Sequence, residues 1–88
     1  MHTAAVKKYA EKPEKCAELL RLALAHMSRQ EAGVHPISYA VWYEYVGGFS
    51  TGLREEIDTL TRDGGKLDEA TTRRLYNKYV ADLDEQTV

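Results

Sequence analysis

The chain has 88 residues, with 12 basic and 14 acidic side chains and a formal net charge of −2. This length corresponds to one small domain. Acids accompany the bases along the chain, which excludes a basic face for nucleic acid or for a membrane surface. No apolar run reaches the ~18 residues that would span a bilayer, and the N-terminus lacks the apolar core of a secretion signal. We therefore expect a cytoplasmic protein that neither binds nucleic acid nor inserts into a membrane.

Proline and glycine divide the sequence into four segments with helical patterns. Proline suits the first turn of a helix, where its missing N–H would be unpaired, and glycine suits the residue that follows a helix. These signals predict an all-α bundle of about four helices with short connections. After the last apolar face no glycine or proline stops the helix, so we expect the chain to be cut from a longer protein. The predicted helices span about residues 13–31, 36–46, 51–62 and 68–84.

The first predicted helix has apolar residues at steps of three and four, which place them on one face. We expect this face to be buried in the core. A lone cysteine on such a face behaves as a small apolar group, so Cys16 is predicted to be structural and unreactive. The residues of the face are Cys16, Leu19, Leu20, Ala23, Leu24 and Met27.

The second predicted helix is apolar on nearly every side, and only Ser38 and Glu44 interrupt it. A helix of this kind must be covered all round. It is therefore the central, most buried helix, or part of an interface. Glu44 would need a basic partner if it were buried; a position on the one wet edge of the helix is the more common outcome.

Candidate catalytic and metal-binding residues are few. Cys16 has no partner cysteine, and His26 and His35 are read as a helix-terminal residue and a loop residue. The sequence Gly64-Gly65-Lys66 has neither phosphate-loop spacing nor a preceding strand, so it is read as a turn between helices. We expect no catalytic residue, no metal site and no cofactor in this chain.

Aromatic residues are concentrated in the second helix. Tyrosine and tryptophan occur both in cores and at interfaces, because their rings are apolar and their tips are polar. Three interpretations remain open: core packing, a protein–protein interface, or a ligand pocket. The fourth helix adds a short apolar seam of the kind that pairs helices. The candidate interface or pocket residues are Tyr39, Trp42, Tyr43, Tyr45, Tyr76, Tyr79 and Leu83.

Residues 36–48, with the sequence Pro-Ile-Ser-Tyr-Ala-Val-Trp-Tyr-Glu-Tyr-Val-Gly-Gly, resemble a segment near the N-terminus of many bacterial GGDEF proteins. The resemblance extends over about residues 10–82, through the Leu-Arg-Glu-Glu-Ile-Asp run at 53–58 and the Leu-Tyr-x-x-Tyr pattern at 75–79. In those proteins the diguanylate cyclase domain lies C-terminal to this region. The Gly-Gly-Asp/Glu-Glu-Phe loop is absent here, so the resemblance implies a regulatory or dimerising module and not the cyclase activity.

Three functions follow as hypotheses. The first is a non-catalytic module that forms a homodimer and controls the C-terminal cyclase domain of the same chain in cyclic-di-GMP signalling, with the fourth helix transmitting the output. The second is a small-molecule sensor with a pocket around residues 42–45. The third is an adaptor that docks a helix of another protein.

Overall fold

A computed structural model describes residues 9–81 of the chain. Within this range the secondary structure is helical and contains no strand, which confirms the all-α prediction. No helix in these residues has the length and the apolar character that crossing a membrane requires. The helices are α1 (Pro13–Met27), α2 (Pro36–Gly47), α3 (Thr51–Thr61) and α4 (Glu69–Leu75), and α4 continues into a π-helical turn (Tyr76–Val80).

Helix α1 begins at Pro13 as predicted, but it ends at Met27 and not near residue 31. The N–H groups of Arg29 and Gln30 donate only three residues back, to the carbonyls of His26 and Met27 at 3.0 and 3.4 Å, which ends the α-helical pattern. The N–H groups of Glu31 and Ala32 both donate to the carbonyl oxygen of Leu67, at 2.9 and 3.1 Å. Residues 31 and 32 are therefore bonded to a loop that is distant in the sequence, and α1 does not continue to residue 31.

Helix α2 has well-defined ends, close to the predicted span of 36–46. His35 precedes it as N-cap: its ring accepts from the N–H of Ser38, whose side chain accepts in return from the N–H of His35. This is a capping box, with Pro36 in the first turn. Gly48 ends the helix with φ of 70°, a left-handed conformation that glycine adopts without steric cost.

Helices α3 and α4 begin at side-chain caps. Ser50 accepts from the N–H of Leu53 at 3.2 Å, and Asp68 accepts from the N–H of Thr71 at 2.8 Å. Each cap pairs one of the N–H groups that have no partner inside the helix. Both helices therefore begin within one residue of the predicted starts at 51 and 68.

The helical structure after Asp68 ends at Val80, which corrects the prediction of a continuous helix to residue 84. Residues 76–80 form a wider π-helical turn, and Ala81 has an extended backbone with ψ of 135°. The N–H of Ala81 donates to the carbonyl of Tyr76 at 2.8 Å, which closes the turn. The last predicted helical residues, 82–84, lie outside the described residues.

Helix α2 is the centre of the fold, as its all-round apolar character predicted. Helices α1, α3 and α4 and the π-helical turn all pack against it, with α1 making the largest contact. Val41, Trp42 and Tyr43 of α2 are all buried. The other side chains of the core are Leu19, Ala23, Met27, Leu53, Ile57, Leu67, Leu75 and Val80.

The apolar face predicted for α1 is wrong in part. Leu19, Ala23 and Met27 are buried against α2, but Leu20 is 40% exposed and Leu24 is 47% exposed. Because α1 packs mainly against one helix, only a narrow sector of its surface is covered. Leu20 and Leu24 lie just beyond that sector.

Candidate functional site

The aromatic residues of α2 divide into groups on different sides of the helix. We call His26, Trp42 and Tyr45 the Trp42 cluster, and Tyr9, Tyr39, Tyr43 and Phe49 the Tyr43 cluster. Residues 42 and 43 are adjacent in the sequence, and successive side chains point about 100° apart around a helix. The structure therefore does not bring the predicted site residues together into one patch.

In the Trp42 cluster the indole ring is held on several sides. The ring of His26 stacks on Trp42 with centroids 4.5 Å apart and planes 5° from parallel. The ring of Tyr45 is nearly perpendicular to that of Trp42, with ring centroids 5.3 Å apart. The indole N–H donates to Oε1 of Gln30 at 2.7 Å. The indole ring is thus buried between the neighbouring rings of His26 and Tyr45, and its N–H has a hydrogen-bond partner, as a buried indole requires.

Charged residues surround the outer edge of the Trp42 cluster. The Tyr45 hydroxyl donates to Asp58, and the guanidinium of Arg54 lies over the Tyr45 ring, 5.6 Å from its centroid. Burial and the bond to Asp58 raise the pKa of Tyr45. Burial and the nearby Arg29 lower the pKa of His26. The histidine therefore stacks on the indole as a neutral ring at pH 7.

An open groove of about 320 Å³ lies beside the Trp42 cluster, between the end of α1 and the loop that follows α3. Its lining includes the aromatic side chains His26, Trp42 and Tyr45 and the basic side chains Arg29 and Lys66. Its volume is at the lower end of the range of small-molecule sites. The lining residues are His26, Arg29, Gln30, Trp42, Tyr45, Thr61, Gly64, Gly65, Lys66 and Leu67.

The Tyr43 cluster covers the other side of α2. Tyr39 and Tyr9 each lie 5.4 Å from Tyr43, and Phe49 stacks on it at 6.0 Å. The nearby Cys16 thiol, followed by burial, raises the pKa of Tyr43. A cavity of about 200 Å³ lies between Tyr9, Tyr39, Ala40 and Tyr43.

Glu44 lies beneath the Tyr43 cluster and is 2% exposed. The hydroxyl of Tyr9 donates to its carboxylate at 2.5 Å. Burial, together with the hydrogen bond to Glu44, raises the pKa of Tyr9. The expectation that Glu44 lies on a wet edge is wrong, because α2 is enclosed between α1 and the other helices and has no such edge at this position.

The fourth-helix candidates pack inward. Tyr76 and Tyr79 are half-buried against the core, and the hydroxyl of Tyr79 donates to Oε1 of Glu56 at 2.6 Å. Glu56 also pairs with Arg74 at 2.8 Å. The bonds from Tyr79 and Arg74 hold the pKa of Glu56 at about 2. Leu83, the remaining candidate, lies outside the described residues.

The contact between Glu69 and the α1–α2 loop has no counterpart among the predicted sites. The carboxylate of Glu69 accepts from the N–H of Gly33 at 3.0 Å and from the ring of His35 at 2.9 Å. It also pairs with Arg73 at 2.6 Å. The Gly33 N–H, then Arg73 and His35, lower the pKa of Glu69 to about 2. Only the pairing of Glu69 with Arg73, four residues apart, was visible in the sequence.

Cys16 is half-buried and donates to the carbonyl oxygen of Glu11 at 3.4 Å. In residues 9–81 no group of three histidine, cysteine, aspartate or glutamate side chains is placed to hold a metal ion. Sequence reasoning also missed Gln30 and the stacking of His26 on Trp42. Residues that are 12 and 16 positions from the tryptophan carry no local signal that would pair them with it.

The chain is similar in sequence to the diguanylate cyclase VdcA of Vibrio cholerae serotype O1, with 28% identity over 69 residues. The match covers 78% of this chain and 20% of VdcA, so the chain spans about a fifth of the length of that relative. No protein-family model matches the chain, and no solved structure matches it. The similarity relates the chain distantly to a region of a diguanylate cyclase and is consistent with a cyclic-di-GMP signalling context.

Proposed function

We propose that this chain is a non-catalytic regulatory and dimerisation module of a bacterial diguanylate cyclase, located in the cytoplasm. The observation that carries the proposal is the similarity to VdcA, which extends over 78% of this chain but over only 20% of the cyclase. The Gly-Gly-Asp/Glu-Glu-Phe loop does not occur in the 88 residues. The proposal therefore places catalysis in a separate domain of the same protein.

Diguanylate cyclases need two half-sites, each holding one GTP, to meet. A module that pairs two chains raises the effective concentration of one half-site at the other. This requires a rigid body that keeps its shape while it associates. Helix α2, with both ends capped and Val41 to Glu44 buried at its centre, supplies such a body.

The test is to express the complete natural gene product that contains these residues and to measure cyclic-di-GMP formation from GTP. We expect the complete product to be active and the isolated 88-residue chain to form none. Deletion of residues 9–81 should make the specific activity fall steeply as the protein is diluted, since pairing then relies on the cyclase domain alone. A gene product without cyclase activity, or a deletion that leaves the dilution profile unchanged, would contradict the proposal.

The groove beside Trp42 favours a second candidate function, a small-molecule sensor. It is lined by aromatic side chains, and Arg29 and Lys66 among its lining residues favour a ligand that carries negative charge. Native mass spectrometry of the purified chain, compared with the mass of denatured chain, tests for a bound molecule. Trp42 is the sole tryptophan, so a ligand in the groove should also change the intrinsic fluorescence. A chain with no bound mass would speak for the first function over this one.

A further inference from the structure

Helix α1 carries an apolar stripe on its exposed surface, directly beside the face that packs on α2. We call it the α1 stripe: Pro13, Ala17, Leu20 and Leu24, all of them exposed. Leu20 is 40% exposed and Leu24 is 47% exposed. The stripe runs along most of the helix, which makes it a continuous surface and not a set of scattered apolar residues.

The spacing of the α1 stripe is that of paired helices. Its members follow one another at steps of four, three and four residues, which is the alternation of a and d positions in a heptad. Leu19, Ala23 and Met27 of the same helix are already buried against α2. Helix α1 thus has one apolar face that is covered within the chain and a second apolar face that is exposed and has the spacing to pack against another helix.

Charged residues border the stripe on its open side. Glu14 and Arg21 each follow a stripe residue by one position, which is the e position that flanks a helix pair. Both are exposed, and neither forms an ion pair within residues 9–81. The opposite flank, at Cys16 and Ala23, belongs to the face that packs on α2 and carries no charge.

We propose that the α1 stripe is the surface through which two copies of this chain associate, with the two α1 helices antiparallel. This inference rests on the proposed dimerisation function and names the surface that would perform it. An antiparallel pair places Glu14 of each copy near Arg21 of the other, since equivalent flanks then meet. A parallel pair would instead place these charges beside the uncharged flank at Cys16 and Ala23 and leave them unpaired.

The size of the stripe sets the strength of the association. A helix of 15 residues is about 22 Å long. A pair of such helices buries less than the roughly 1,200 Å² typical of stable complexes, so the isolated chain should associate weakly and reversibly. Attachment to a larger protein with further contacts would strengthen it. A weak pair is suited to regulation, because a small change in free energy shifts its population.

The first experiment measures self-association of the 88-residue chain by sedimentation equilibrium from micromolar to millimolar concentration. The double variant Leu20→Glu/Leu24→Glu should weaken association roughly tenfold or more, because charges would enter an apolar contact. Leu22→Glu is the matched control: Leu22 is 46% exposed on the same helix but lies about 200° around it from both stripe leucines. The control should associate like the parent chain, and circular dichroism should show all variants folded.

The second experiment tests the antiparallel arrangement with residues that are exposed and do not contribute to the core. Glu14→Arg and Arg21→Glu should each weaken association, since each creates two pairs of like charges across the dimer. The double variant Glu14→Arg/Arg21→Glu should restore it. Single variants without effect, or a double variant weaker than both, would overturn the antiparallel pairing.

The outcomes separate this inference from the proposed function. If the chain associates but the stripe variant behaves like Leu22→Glu, the stripe is the wrong surface and the dimerisation function stands. If the chain stays monomeric at millimolar concentration, the α1 stripe proposal is overturned. The cyclase assay of the complete gene product then decides the proposed function independently.

Discussion

Trp42 meets the rest of the fold through its ring and through its N–H. The ring stacks on His26 and contacts the edge of Tyr45, while the N–H reaches Gln30 near the end of α1. With 4% of its surface exposed, it fills space between α1 and α2 that no smaller side chain would fill. Its replacement therefore removes apolar contact and leaves a cavity as well as an unpaired amide oxygen.

We expect Trp42→Ala to destabilise the chain by about 3–5 kcal/mol, the usual cost of truncating a buried aromatic. A domain of this size has a total stability of roughly 5–9 kcal/mol, so the variant should be partly unfolded at 37 °C. Trp42→Phe is the control, because it keeps most of the ring and loses only the bond to Gln30. Urea unfolding followed by circular dichroism measures both. A Trp42→Ala variant with an unchanged midpoint would contradict the placement of α2 at the centre.

The lowered pKa of Glu69 predicts that the folded chain loses stability as the pH becomes acidic. Its pKa falls from the ordinary 4.5 to about 2 in the folded chain, so its contribution is complete above pH 4.5 and is lost as the pH falls through about 2. Glu69→Gln should lower the stability at pH 7, and it should reduce the amount of stability that is lost as the pH falls from 4.5 to 2. Glu55→Gln, at an exposed carboxylate of α3, is the control and should retain the parent profile. Thermal melting across this pH range makes the comparison.

At the scale of single residues, sequence reasoning identified types of residue but not their partners. The aromatic residues of α2 were recognised as exceptional, and the structure buries Trp42 and Tyr43. Whether they also form an interface or a pocket stays a prediction. The hydrogen bond between Glu69 and His35 could not be predicted from the sequence. It joins residues 34 positions apart, which meet only through the packing of the helices.

Among the helices, starts were easier to predict than ends. Pro13, Pro36 and Asp68 mark the starts through local chemistry that acts within one turn. The residues that follow α1 are bonded to the distant carbonyl of Leu67, and α4 ends with a change to wider helical turns. Neither is a property of the neighbouring sequence. Gly48, by contrast, ends α2 through its own conformation, and this end was predicted to within one residue.

Gly48 offers a test at this scale. Its φ of 70° strains any residue with a Cβ, so Gly48→Ala should cost about 1–2 kcal/mol. Gly48→Asn should cost less, since asparagine tolerates the left-handed conformation better than alanine. Chemical denaturation of the two variants gives the order. The Arg54 guanidinium lies 3.3 Å from the point where a Cβ at position 48 would stand. Equal costs for the two variants would show that this contact, and not the positive φ, causes the loss of stability.

For the whole molecule, the arrangement of helices around α2 predicts an order of local stability. The amides of Val41, Trp42 and Tyr43 lie in the helix that every other element covers, so they should exchange with solvent only on global unfolding. Amides on α1 should exchange faster, because α1 packs mainly on one neighbour. Hydrogen exchange followed by NMR measures this order. Exchange of α2 amides at the rate of α1 amides would show that the core lies elsewhere.

The contacts between the loops at one end of the bundle link the position of one helix to that of another. Residues 31–35 are bonded to the Leu67 carbonyl and to the Glu69 carboxylate, which stand on either side of the cap of α4. These hydrogen bonds connect the start of α2 to the start of α4, although more than 30 residues separate the two positions in the sequence. A shift of α4 along its axis would break these hydrogen bonds or move the loop after α1 and the beginning of α2 with it. A displacement of α4 is thus coupled to the start of α2 through these hydrogen bonds.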